Sequence, residues 1–188
     1  VVRFSPQCGL SPQRGKRNRA DEPMKRGDDM REEYSLSPEG EMFSLPTESD
    51  YLAELARLEQ LVAENRAAGR EIVVVMGLGF VGAVMAAVIA DSVDEKGNPA
   101  KYVIGMQRPS TRSFWKIPLI CQGKSPMKAE DPEVAAIIHR TVIEKKTLTA
   151  SFSYKALGLA DVVVVDVQCD YVKNSLKDVS TGYVLMDD

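Results

Sequence analysis

Cysteine, histidine and tryptophan are scarce in this chain, with 3, 1 and 1 copies in 188 residues. Cys8, Cys121 and Cys169 are widely spaced and odd in number. They show neither zinc-type spacing nor a disulfide framework, so no metal is expected, and this usage fits a reducing, cytoplasmic setting. His139 is the single histidine and falls in a helical stretch, where it reads as a partly exposed helix residue without a catalytic role. Long apolar runs are missing too. The longest, near Val81 to Ala90, falls far short of the roughly 20 residues a membrane span needs. No apolar leader core follows Val1. A net charge of −3 gives no reason to expect nucleic acid.

Residues 1–49 are poor in large apolar side chains. They hold Pro6, Pro12, Pro23, Pro38 and Pro46, a basic cluster at Arg14, Lys16, Arg17 and Arg19, and acidic residues from Asp21 onward. Such a segment buries too little to order itself, so a solvated tail or leader is expected. A helix then begins near Ser49 or Asp50 and runs through residues 50–69. Leu52, Leu55, Leu58, Leu61 and Val62 recur at spacings of three and four. That stripe fits a helix laid against the following domain, or a short coil forming a homodimer.

The remainder, residues 70–188, is organised around Arg70 to Asp91. Ile72 to Val75 is a short β-branched run, suited to a strand buried on both faces of a parallel sheet. Gly77, Gly79 and Gly82 follow as G-x-G-x-x-G, and Ala83 to Ala90 then reads as a buried helix. The spacing has a physical logic. Gly77 permits the tight turn, Gly79 lets a pyrophosphate approach the backbone, and Gly82 lets the helix sit close to the sheet. The first helical amides, near Val81 and Gly82, would face the phosphates with the positive end of the helix dipole behind them. Gly77, Leu78, Gly79, Phe80, Val81 and Gly82 are therefore the predicted phosphate loop. A ligand-free close-packed turn is the plainer alternative.

Lys101 to Gln107 reads as a second strand after a polar loop at Asp91 to Ala100. Dinucleotide folds place an acidic residue at that strand's end, to hold the adenosine ribose. Here the place holds Gln107, which bonds hydroxyls without a charge. Arg108 or Arg112 could meet a 2′-phosphate instead. Pro109 to Pro126 reads as a mixed stretch. Pro132 to Glu144 reads as a helix opened by Asp131, and Leu148 to Phe152 as a short strand. Lys155 to Leu159 is a helical turn, and Val162 to Val167 a further buried parallel strand ending beside the glycine loop. Tyr171 to Asp188 starts one more helix. The fold class expected is α/β, a Rossmann-like doubly wound parallel sheet preceded by a tail and an amphipathic helix.

Four segments in order resemble the N-terminal domain of the nucleotide-sugar dehydrogenases, the UDP-glucose and GDP-mannose dehydrogenase family. They are GLGFVG at Gly77 to Gly82, VIGMQ at Val103 to Gln107, KIPLICQGKSPMKAE at Lys116 to Glu130, and LTASFSYKALGLADVVVVDVQCD at Leu148 to Asp170. The resemblance covers roughly residues 70 to 175. It implies an NAD-binding domain, with NADP open beside NAD, in which Gln107 and Arg112 face the adenosine ribose and Val167 lines the nicotinamide side. It implies a parent enzyme of polysaccharide biosynthesis that oxidises the primary alcohol of a nucleotide sugar to a carboxylate with a cysteine nucleophile. Two positions depart from the family. Gln107 replaces its ribose-binding Asp, and Val167-Gln168-Cys169-Asp170 replaces V-P-T-P. None of the three cysteines matches the catalytic motif, so no catalytic residue is assigned and residues 1–188 alone are expected to be inactive. The rival expectation is a non-catalytic, degenerate binding or oligomerisation module.

Overall fold

A computed structural model of the chain describes residues 34–166. Its centre is a four-stranded parallel sheet in the order β5-β4-β3-β6. The strands are β3 (Glu71–Met76), β4 (Lys101–Met106), β5 (Leu148–Ser151) and β6 (Val162–Val165). Val73 lies opposite Val103 on one side and Val162 on the other, and Val103 lies opposite Leu148. The fold is α/β and Rossmann-like, as the alternation of apolar runs and helical stretches predicts.

Strand alternation splits the core into two layers. Val73, Val75, Val103 and Ala150 face α2 (Phe80–Asp91), α3 (Lys116–Cys121) and α4 (Pro132–His139). Ile72, Val74, Tyr102 and Ile104 face the other way. That second face is covered by α1 (Glu48–Ala67) and by a 3-10 turn at Tyr154–Leu159. Leu58 and Val62 of α1 are buried there, each worth about 1.5–3 kcal/mol. The centre of the predicted stripe therefore faces the sheet, while Leu52 at its start is 71% exposed.

Several expectations need correction. The helix is capped two or three residues earlier than Ser49 or Asp50 suggest. Thr47 is its N-cap, and Asp50 Oδ2 accepts from the Thr47 amide at 2.7 Å. Residues 34–49 are not a tail. β1 (Tyr34–Leu36) and β2 (Met42–Ser44) form an antiparallel hairpin, turning through Gly40 at φ +86°. It is anchored by buried Phe43 and by Ser35, whose Oγ accepts from the Trp115 amide at 3.2 Å. These contacts tie the hairpin to a core formed by residues far along the chain. Residues 1–33 lie outside the described residues.

The mixed stretch after β4 contains α3, whose Ile117, Leu119 and Ile120 are buried. Pro118 sits in its first turn, where its missing N–H has no acceptor to lose. β6 is the outer strand among the described residues, so Val162, Val163 and Val165 are exposed rather than buried. Cys121 is buried in α3, with its Sγ 3.5 Å from Ala150 O; Cys8 and Cys169 lie outside the described residues.

α4 follows Asp131, whose side chain accepts from the Glu133 amide, and continues as a π turn through Arg140–Glu144. Arg140 and Lys145 clamp Asp91 at the end of α2, at 3.0 and 2.8 Å. The Arg140 hydrogen bond holds the Asp91 carboxyl below its ordinary range, ahead of Lys145. His139 is exposed, as its place in the sequence suggests, with Nδ1 3.5 Å from Glu144 Oε1.

Candidate functional site

Strand order fixes where a ligand can sit. From β3 the chain moves to β4 on one side and returns to β6 on the other, so the sheet switches direction at β3. Open parallel sheets take ligands beyond the carboxyl ends of the strands at such a point. The glycine loop leaves β3 there. Gly77 adopts φ +100°, closed to most side chains, and its amide donates to Met106 O at 2.8 Å.

The loop is braced from beneath. Leu78 is 1% exposed and packs on Gly105, where an added Cβ would meet Leu78 Cδ2 at 2.7 Å. A Cβ on Gly82 would stand 1.9 Å from Gly77 O, so the start of α2 presses directly on the loop backbone. Gly79 is different: a Cβ there would meet only Asp166 Oδ2, at 4.0 Å. The floor at Gly79 is open, which suits close approach of a ligand to the backbone. The first amides of α2, at Phe80, Val81 and Gly82, have no acceptor within their own helix.

Above this floor lies a cavity of about 460 Å³. Gly77, Gly79, Phe80 and Val81 line it from the loop, and Gln107, Lys116 and Asp166 from three other segments. The structure thus brings together five of the predicted residues, with Leu78 and Gly82 supporting the loop from behind. Gln107 is turned inward. Its Oε1 accepts from the Leu78 amide at 2.8 Å, and its Nε2 donates to Ser113 Oγ at 3.3 Å. Arg112 does not line the cavity; its carbonyl accepts from Trp115 Nε1 at 2.9 Å. Val167 lies outside the described residues, as do Gln168, Cys169 and Asp170.

Two lining residues were missed from the sequence. Lys116 opens α3 and donates from Nζ to Leu78 O at 3.2 Å, placing a cation at the mouth. Burial pulls its ammonium pKa below the ordinary lysine value. Asp166 follows β6, and its amide donates to Met76 O at 2.8 Å. The one available signal was an aspartate interrupting a valine run at its carboxyl end. Among the described residues no hydrogen bond or ion pair reaches the Asp166 carboxylate.

A smaller cavity of about 240 Å³ lies at the opposite, amino-terminal edge, between Asn65, Arg70, Tyr102 and Leu148. It is not at the switch point. Among the described residues no cluster of His, Cys, Asp or Glu could hold a metal ion, and no helix is long and apolar enough to cross a membrane.

No family model matches the chain, and no curated protein matches it. Among solved structures it is similar to the NDP-N-acetyl-D-galactosaminuronic acid dehydrogenase from Methanosarcina mazei Go1. Identity is 27% over 61% of this chain and 22% of that one, with a TM-score of 0.49. It is also similar to a UDP-glucose dehydrogenase from the hyperthermophilic archaeon Pyrobaculum islandicum. There identity is 18% over 57% of this chain and 22% of that one, with a TM-score of 0.44. The chain spans about a fifth of the length of the solved proteins it matches.

Proposed function

We propose that residues 70–166 bind a nicotinamide dinucleotide, and that the chain is the cofactor-binding part of a nucleotide-sugar dehydrogenase. One observation carries the first half: a glycine loop with an open floor at Gly79, opening α2 at the switch point of a parallel sheet. The pyrophosphate would rest on the amides of Phe80, Val81 and Gly82, with Lys116 supplying a positive charge beside it. The nicotinamide supplies the hydride acceptor; the protein binds and orients it. The four resembling segments support the second half. On this reading the parent oxidises the primary alcohol of a nucleotide sugar to a carboxylate. Residues 1–188, which have no cysteine in the family's catalytic motif, bind cofactor without turnover.

Gln107 brings no carboxylate to repel a 2′-phosphate, so NAD and NADP bind with little preference. Titration calorimetry with NAD and NADP tests the reading on wild type and Gly79→Val. The valine should abolish binding of both, because its branched side chain fills the open floor. Equal binding by the two proteins would reduce the loop to a turn.

A degenerate, non-binding module is the second reading. The inward-turned Gln107 favours it, since both ends of its amide are already engaged. Absence of binding by wild type would decide for it.

A further inference from the structure

We propose that Asp166 is a specificity residue that holds the anion seat of the glycine loop against the pyrophosphate. The inference rests on the dinucleotide reading above and deepens it. Asp166 Oδ2 would stand 2.7 Å from a Cβ on Gly82 and 4.0 Å from one on Gly79. The carboxylate therefore lies over the first turn of α2, between the two glycines that shape the seat. A helix N-terminus favours negative charge, and here the chain supplies its own.

The position follows from the sheet. The Asp166 amide continues the β6 ladder onto Met76 O. Strand alternation then sends its side chain to the same face as Val164, the face that carries α2. No ion pair joins Asp166 to Lys116 across the cavity. A doubly charged pyrophosphate entering the seat must displace or neighbour a carboxylate without an ion-pair partner, while Lys116 and the helix N-terminus attract it.

Asp166→Asn keeps the shape and removes the charge. Calorimetry at low salt should show NAD binding at least tenfold tighter than wild type, about 1.4 kcal/mol. Inorganic pyrophosphate should gain similarly. The gap should narrow in high salt, because screening weakens repulsion between charges; a purely steric effect would not respond. Wild type that binds NAD as tightly as Asp166→Asn overturns this inference and leaves the dinucleotide reading standing. Variants that bind no NAD, while Asp166→Asn still binds inorganic pyrophosphate more tightly than wild type, overturn the dinucleotide reading and keep the anion seat. Failure of every variant to bind either ligand overturns both.

Discussion

Two aspartates bracket the same four-valine strand and do opposite things. Asp161, just before β6, is fully engaged. Its Oδ2 accepts from the Ile72 amide at 2.8 Å and its Oδ1 from Arg66 Nη2 at 2.7 Å. It pins β6 and α1 to the start of β3. Asp166, just after β6, has no such partner among the described residues and faces an open cavity. At the amino-terminal edge of the sheet several charged groups thus pair with one another, including Lys101 with Glu71. The carboxyl-terminal edge leaves a cation, a carboxylate and a helix N-terminus facing a space. Buried or half-buried polar groups are normally partnered, so the contrast separates an edge built for stability from one free to meet a ligand.

The largest expected effect tests the glycine loop as scaffold. Gly82→Ala forces a Cβ onto Gly77 O, and overpacking of that kind costs about 1–3 kcal/mol, occasionally more. Urea unfolding should show it clearly, whereas Gly79→Ala should unfold close to wild type. Comparable losses at both positions would mean that the floor at Gly79 is not open.

Next, Asp161→Ala should lower the melting temperature and leave ligand affinity unchanged. Asp166→Asn should do the reverse. If both variants moved the same observable, the two edges would not differ in kind.

The pH response sharpens the same contrast. The Ile72 amide, and then Arg66, hold the Asp161 carboxyl below its ordinary value of 3.8. Asp91 is lowered likewise by Arg140 and Lys145. A depressed carboxyl contributes stability above its unfolded pKa and loses it as pH falls through the folded one. Wild-type stability should therefore drop from about pH 5 toward about pH 2. Asp161→Ala should show a shallower drop, read from urea midpoints at several pH values. An unchanged slope would remove Asp161 from the account.

The smallest effect concerns cofactor choice. Gln107→Asp should shift preference toward NAD, by up to about tenfold or 1.4 kcal/mol, measured as the ratio of NAD and NADP dissociation constants. Wild type that already prefers NAD by more than that would show that Gln107 does not set the choice.

Much of this was legible from residues alone. The β-branched run at Ile72 to Val75, the glycine triplet and the Ala-rich helix after it are local signals. Each needs only neighbours in sequence to state its conformation. The helix opened at Asp131 and the strand read at Leu148 to Phe152 are of the same kind. The hairpin at residues 34–44 was not legible, because its order depends on Phe43 reaching a core built by residues far along the chain. α3, only six residues long, lies inside the stretch at Pro109 to Pro126 that reads as mixed.

The sequence by itself determined the strand, the turn and the helix that carry the glycine loop, since their glycine and β-branched patterns act over a few residues. Only the tertiary structure decided what faces that loop. Lys116 comes from a helix beyond β4 and Asp166 from a strand that crosses back to the far side of β3. Their meeting at Gly79 is a consequence of strand order, and strand order is set by long-range packing of two apolar faces rather than by any local pattern.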